Sequence, residues 1–464
     1  MRLLKNKKRA CPPKFFLGKV RRVHMIGIKG AGMSALAVNL KSMGIKVGGS
    51  DHAESFFTDA LLKKHGFKVS APFSPNNIPA DTDLVIASTA YNNKNVAVQE
   101  AYRKKLKILT YPEVLGLLTR QLHSIAVCGS HGKTTTSGIL AYLLSKTAYR
   151  PIINVGSIVP QLINYRACQP KLFVFEADEY QNKFKYFHPQ IVILTNIDYD
   201  HPDYFRSPSH YKSVFREFIK RTPRSGLLVY CADDKNVLGI VNHAKCKKIG
   251  YGFSKYADRN LKIDQIAPAQ MKFLVSGLGG FDSKLIGKHN ALNLAAAAIC
   301  ANYLKIPAGQ IKKAIASFIG TKRRLEIMKK VKISGHECII MDDFGHHPTE
   351  IEATIETIKK AYPGKTLWTA FQPHTFSRTK ALFNDFAKCF TKSDKTIILD
   401  IYTSKREVGG KIHSRDLVKK INSPDVVYKP DIATAADFLK KKIKTDSIIL
   451  TIGASEVWRL AKLF

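Results

Sequence analysis

No run of about 18 apolar residues occurs in the chain, so no membrane-spanning helix is expected. The basic start, MRLLKNKKRACPPKFFLGK, lacks an apolar stretch long enough for a signal peptide and reads as a loose arm before the first strand. The eight cysteines (Cys11, Cys128, Cys168, Cys231, Cys246, Cys300, Cys338 and Cys389) form no CxxC pair and no Cys/His ligand spacing. They read as small core residues of a reducing cytoplasm, not as disulfides or a cysteine zinc site. Acids are scarce: 36 Asp and Glu stand against 74 Lys and Arg, a formal charge of +38. The cations are dispersed in pairs such as Lys63-Lys64 and Lys247-Lys248. No aromatic-basic stacking pattern, short repeat or low-complexity segment accompanies them. A nucleic acid is therefore not the expected partner, and a field of this sign also draws in nucleotides and carboxylate substrates.

A chain of 464 residues, 45% apolar, has room for roughly three domains with large cores. Its organising stretch is residues 124–144, SIAVCGSHGKTTTSGILAYLL. The apolar run 125–128 reads as a buried parallel strand. A Gly/Ser/His turn follows, then Lys133-Thr134-Thr135-Thr136 and an apolar helical pattern over 139–144. Strand, glycine turn, Lys-Thr and helix make a phosphate cradle, in which backbone N–H groups and the helix N-terminus meet the anion and the Thr hydroxyl faces Mg²⁺. The usual spacing wants glycine where this chain has Val127. Three consecutive threonines are poor helix formers and need another reason to stand at a helix start.

Upstream, strand 23–28 enters Gly27-Ile28-Lys29-Gly30-Ala31-Gly32-Met33-Ser34, and a helix is expected over 35–43. This βαβ unit suits a diphosphate at the helix N-terminus, with Lys29 in place of the middle glycine of a dinucleotide fingerprint. Asp51 ends the next strand, where it either meets a sugar hydroxyl or caps a turn. Strand 84–88 ends in Ser88. Downstream, strand 172–175 ends in the acidic turn 176–179, and strand 191–194 ends in the acid- and His-bearing segment 195–203. Strand C-termini form the ligand edge of an open parallel sheet, which places Glu176 and His201 beside the phosphate turn. Residues 232–234 and 277–280 read as surface connections. Asn290 and Asn293 share a helical face and either read an adenine edge or cap the helix. In the glycine-and-cation segment 318–326, Arg324 either reaches a nucleotide phosphate or belongs to a basic linker. Further strands at 367–371, 396–401 and 447–452 alternate with helices, and Arg378 lies in a polar turn suited to holding a carboxylate. The expected class is α/β. Its three domains are each built on a mostly parallel sheet: Rossmann-like over 1–121, P-loop over 122–320 and Rossmann-like over 321–464.

GIKGAGMS, GSHGKTTT, EADEY, TNIDYDHPDYF, GKHNALN, TKRRLE, DDFGHHPTE and FQPHTFSRT follow one another in the order found in the Mur ligases, which the chain resembles from about Val23 to its end. DDFGHHPTE and FQPHTFSRT resemble the alanine-adding branch, with Thr375 where that branch carries Arg. The resemblance implies ligation of L-alanine to UDP-N-acetylmuramate through an acyl phosphate, with ATP and Mg²⁺ as cofactors, by a monomer or homodimer. Attachment of a preformed murein peptide, another small amino acid such as glycine or serine, and a basic nucleic-acid-binding ATPase are the competing readings. Residue by residue, the resemblance implies that Gly129, Ser130, His131, Gly132, Lys133, Thr134, Thr135, Asn290, Asn293, Arg324 and Asp343 bind ATP. Thr134, Glu176 and His201 would hold metal, and Lys133, Glu176, His201 and Arg324 would serve catalysis. Gly27, Lys29, Gly30, Gly32, Ser34, Asp51 and Ser88 would bind the UDP substrate, and His347, His374 and Arg378 would grip muramate and alanine.

Overall fold

The computed structural model describes residues 18, 20–167, 170–403, 407, 409–421, 423 and 425–464. Cys11, Cys168 and the basic arm, Gly18 apart, lie outside them. The other six cysteines are free and buried.

The first sheet contains β1 (Arg22–Ile26), β2 (Lys46–Ser50), β3 (Val69–Ser70), β4 (Leu84–Ala87) and β5 (Lys107–Thr110). All pairs are parallel, in the order β3-β2-β1-β4-β5. The order reverses beside β1, so the crevice at the carboxyl ends of β1 and β4 is where such a sheet takes a ligand. The helix after β1 spans Ala31–Ser42 and begins before the expected residue 35, because Gly30 is its N-cap and accepts Ser34 N–H at 2.8 Å.

The nine-stranded second sheet holds β6 (His123–Cys128), β7 (Ile152–Asn154), β8 (Leu172–Glu176), β9 (Ile191–Leu194), β10 (Leu227–Cys231), β11 (Lys247–Gly252), β12 (Arg259–Ala267), β13 (Gln270–Val275) and β14 (Gly279–Ser283). The order is β14-β13-β12-β11-β10-β9-β6-β8-β7, antiparallel only at β12-β13-β14. Ile125, Ala126, Val127 and Cys128 are fully buried, which contributes about 1.5–3 kcal/mol for each large aliphatic side chain. Val127 is thus a strand residue, and the turn opens only at Gly129. The expected connection 277–280 is shorter than predicted: Gly279 and Gly280 already pair with Val275 and Leu274. Helices Lys133–Ser145 and Lys288–Tyr303 pack together over this sheet. The buried Ala295, Ala296, Ala297 and Ala298 keep the second helix slim enough for close approach.

The six-stranded third sheet contains β15 (Glu326–Ile333), β16 (His336–Asp343), β17 (Thr366–Phe371), β18 (Lys395–Ile398), β19 (Val426–Tyr428) and β20 (Ser447–Ile452). Its order is β15-β16-β20-β17-β18-β19, with β15 alone antiparallel. Helix Pro348–Ala361 leaves the carboxyl end of β16 toward the second sheet's ligand edge. Among the described residues no helix is long and apolar enough to cross a membrane.

Candidate functional site

The turn after β6 has an unusual backbone. Gly132 has φ +79, and a Cβ there would fall 2.3 Å from Asn293 Oδ1. Only glycine combines that conformation with that neighbour at little cost. Gly132 is also the N-cap of helix Lys133–Ser145 and has no side-chain cap, so the helix's first amides are left to a ligand. The threonines each have a reason to be there. Thr134 Oγ1 donates to Glu176 Oε2 at 2.8 Å, Thr136 Oγ1 donates to Asn293 Oδ1 at 3.2 Å, and Thr135 faces the cavity.

Lys133 Nζ folds back on the turn, donating to Gly129 O at 2.5 Å and Ser130 O at 2.9 Å, and pairs with Glu179 at 3.1 Å. Burial alone would lower its pKa, but Glu179, Asp178 and Glu176 outweigh burial and raise it, so the ammonium stays charged. Glu179 is 1% exposed; it also accepts from Tyr211 Oη at 3.0 Å and lies 3.8 Å from His201 Nε2. The carboxylates nearest His201 are therefore Glu179 and Asp200, while Glu176 sits with Thr134 and Gly156 N. Thr134 and Glu176 offer hard oxygen donors suited to Mg²⁺, and Asp178, Glu179 and His201 bring ligand atoms within 4.8 Å of one another.

A cavity of about 510 Å³ opens beside the turn. His131, Gly132 and Thr135 line it from the turn, Asn290 and Asn293 from helix Lys288–Tyr303, and Arg324 and Asp343 from the third sheet's side. Gly129, Ser130, Lys133 and Thr134 are not among its lining residues; Ser130 Oγ donates to Asp198 O at 2.7 Å. Asn290 does not cap its helix, since Gly287 does, and its amide donates to Ile286 O at 2.9 Å. The three cations of the linker part company. Lys322 pairs with Glu326 at the surface. Arg323 is buried on Asp342 at 3.0 Å, and Arg324 lies over the Phe344 ring, 3.7 Å from Glu350. Asp343 accepts from Leu325 N and Gly345 N at 2.7 and 2.6 Å, and burial pushes its carboxyl up to about 6. The segment expected to be a surface connection is not one: Ala232 is buried, and Asp233 and Asp234 line the cavity because Asp234 caps the next helix and holds Ile197 N.

His131 joins the second sheet to the third. Its Nε2 lies 3.0 Å from Asp198 Oδ2 and its Nδ1 lies 3.2 Å from Glu350 Oε1. Burial opposes charge on this ring, but Glu350 and Asp198 outweigh it and raise the pKa to about 9. Beside it His347, buried as the N-cap of helix Pro348–Ala361, is held below the usual histidine range, first by burial and then by His131. Arg378 Nε donates to Asp200 Oδ1 at 2.9 Å in a pair buried on both sides, and its guanidinium also meets His374 Nδ1 at 3.2 Å. Burial works against the Asp200 charge, yet Arg378 and His201 hold its carboxyl well below the usual range. The carboxylate that Arg378 holds in this structure is thus the protein's own. Left-handed backbone marks the same corner: His201 has φ +57 and Thr375 φ +69, the latter a value that a β-branched residue rarely adopts.

At the first sheet, Gly27 N donates to Ser50 O at 2.8 Å and Lys29 N to Asp51 Oδ2 at 2.7 Å. Asp51 also accepts from His52 N, so its turn-stapling contacts are present. Lys29 Nζ is buried on His52 O and Glu54 O at 2.9 and 2.7 Å. Ser34 Oγ donates back to Ala31 O within the helix, and Ser88 Oγ accepts from Ala90 N. Gly32 serves packing: a Cβ would lie 2.3 Å from Tyr111 Oη, which itself donates to Asn154 of the second sheet.

Glu179, Asp198, Asp200 and Glu350 are the site groups that reading single residues passed over. Each lies inside a quoted motif, one to three positions from a residue singled out.

The fold and site define a three-domain α/β protein whose central sheet carries a Gly-Lys-Thr turn at a helix N-terminus facing its third sheet. Residues 22–123 match the model of the Mur ligase family catalytic domain, 127–301 that of the Mur ligase middle domain, and 323–455 that of the Mur ligase glutamate ligase domain. The chain is 36% identical over 457 residues to the UDP-N-acetylmuramate–L-alanine ligase of Acetivibrio thermocellus, covering 96% of each chain, and 35% identical to the enzyme of the same name from Caldanaerobacter subterraneus, covering 97% of this chain and 98% of that one. Its fold is similar to that of the UDP-N-acetylmuramate-alanine ligase MurC of Thermotoga maritima, with a TM-score of 0.79, 26% identity and coverage of 95% of this chain and 97% of that one. The chain belongs to the Mur ligase family.

Proposed function

We propose that the chain joins L-alanine to the lactyl carboxylate of UDP-N-acetylmuramate at the expense of ATP, yielding ADP, phosphate and a peptidoglycan precursor. The observation that carries this reading is the cavity walled on one side by His131, Gly132 and Thr135 and on the other by Arg324 and Asp343, in a chain whose full-length relatives are named UDP-N-acetylmuramate–L-alanine ligase. Residues 1–121 take the UDP portion, 122–320 ATP, and 321–464 close over both.

An amide does not form from a carboxylate and an amine in water without activation. The muramate carboxylate oxygen attacks the γ-phosphorus and ADP leaves, giving an acyl phosphate. The alanine amine, having lost its proton, attacks the acyl carbon, and the C–O bond to phosphate breaks. Lys133 and Arg324 neutralise charge on the transferring phosphoryl group. Thr134 and Glu176 would hold Mg²⁺, with His201 near a second position; the ion supplies charge neutralisation on the phosphate oxygens. Asn290 and Asn293 face the nucleotide, Gly27, Lys29, Gly30, Gly32, Ser34, Asp51 and Ser88 shape the uridine-diphosphate end, and His347, His374 and Arg378 hold muramate and alanine. The third sheet's approach keeps water from the acyl phosphate. The linker near Gly320, where φ is +97, is the hinge.

Phosphate release from ATP, measured with UDP-N-acetylmuramate present and scanned over amino acids and a murein tripeptide, tests the reading. Fastest release with L-alanine is expected. Release only with the tripeptide, or with no acceptor dependence, contradicts it.

A further inference from the structure

Two distant stretches of chain bring three side chains onto one carboxylate oxygen. Asp198 Oδ2 lies 3.0 Å from His131 Nε2, 3.4 Å from His347 Nδ1 and 2.7 Å from Thr349 Oγ1. The outer nitrogens of both imidazoles are already committed. His131 Nδ1 lies 3.2 Å from Glu350 Oε1, and His347 Nε2 lies 3.2 Å from Tyr199 O. A backbone carbonyl only accepts, so His347 carries its proton on Nε2. Its Nδ1 caps helix Pro348–Ala361, accepting from Thr349 N at 3.4 Å and from the N3 backbone, and lies beside a carboxylate that can itself only accept. Acceptor facing acceptor in a half-buried corner is an arrangement that a shared cation resolves.

We propose that Asp198, His131 and His347 form a binding site for one divalent transition metal of the zinc class. A tetrahedral zinc with bonds of about 2.0–2.1 Å separates its ligand atoms by ~3.4 Å. The observed 3.4 Å from Asp198 to His347 matches, the 3.0 Å to His131 is a hydrogen-bond length that opens by about 0.4 Å to take the ion, and the three residues each offer a ligand atom within 4.8 Å of the others. The outer contacts are those a ligating histidine needs: a carboxylate on one ring and a backbone carbonyl on the other, fixing tautomer and orientation. Two nitrogens and one oxygen suit a borderline ion, where Mg²⁺ and Ca²⁺ want oxygens. The ion takes the place of the proton between His131 and Asp198. The Asp198 side chain is 36% exposed and lines the cavity, which leaves an entry path and an open fourth position. Because His131 belongs to the turn after β6 and His347 caps helix Pro348–Ala361, an occupied site ties the second sheet to the third.

The test titrates the metal-free full chain, without nucleotide, with Co²⁺ and then Zn²⁺. One tetrahedral Co²⁺ per chain, recognised by its visible absorption and displaced by one Zn²⁺, is expected. His347→Ala should abolish the tetrahedral signal, Glu350→Gln should weaken Zn²⁺ binding about 10–100-fold, and His201→Ala, at the neighbouring carboxylate cluster, should leave the signal unchanged. Asp198→Asn gives the same reading as His347→Ala if that variant is misfolded by circular dichroism. A wild-type chain with no tetrahedral signal, or a signal that survives His347→Ala or vanishes in His201→Ala, overturns the proposal.

Discussion

Lys133, partly buried, and Arg378, buried, are both cations on buried carboxylates, but removing them has different consequences. Lys133 has two backbone carbonyls and Glu179 as partners, and it is the charge nearest the turn's anion site. Lys133→Ala is expected to lower kcat by at least about 10²–10³-fold, the scale for losing one transition-state donor, while circular dichroism stays native. Ligation at the wild-type rate would remove the lysine from the mechanism. Arg378→Ala strands the Asp200 charge in the interior, which costs about 3–5 kcal/mol, so thermal melting should fall as the alanine KM rises more than the ATP KM. An unchanged alanine KM would confine Arg378 to a structural role. Neither partner carboxylate was legible from residue type. Glu179 adjoins Asp178 and Asp200 lies two residues from Asp198, and only the fold decides which acid of each pair turns inward. Arg323 and Arg324 make the same point: one is buried on Asp342 and the next reaches the cavity, a split that an RR pair does not announce.

At the scale of elements, the strand–turn–helix unit was plain in the sequence because buried strands, glycine turns and apolar helices have different periods. Its ends were less so. Gly30 starts its helix earlier than propensity indicates, and Asp233 and Asp234 became cavity wall because Asp234 caps a short helix. The turn itself gives a sharp expectation. Gly132→Ala meets both a positive φ and Asn293 Oδ1, so it should destabilise the fold by about 1–3 kcal/mol and raise the ATP KM, as read by melting and steady-state kinetics. An ATP KM like the wild type's would mean the turn does not cradle phosphate. The His131 link between turn and helix Pro348–Ala361 gives a pH signature. A histidine raised from 6.5 to about 9 in the folded chain stabilises it fully below pH 6.5, and that contribution is lost as pH climbs through 9. The melting temperature of the nucleotide-free chain should therefore fall across pH 6.5–9, and the fall should shrink in His131→Gln. A variant that melts with the wild-type pH dependence would place the titration elsewhere.

For the whole molecule, three parallel-sheet units and their order could be read from alternating strands and motif order. How they face one another could not, since it rests on contacts such as Asp198 with Thr349 and His131 with Glu350, between residues distant in sequence. The formal charge of +38 belongs to this scale too. A field of that sign speeds capture of anionic substrates and is screened over about 8–10 Å by salt. kcat/KM for UDP-N-acetylmuramate should thus fall as ionic strength rises while kcat changes little; a salt-independent kcat/KM would assign the charge no part in capture. The central claim is that the acceptor carboxylate is itself phosphorylated before the amide forms. Tracing oxygen-18 from a labelled muramate carboxylate into the released phosphate tests it most directly. One labelled oxygen is expected in each phosphate formed with L-alanine. Phosphate free of label, released while the amide product accumulates, would contradict it.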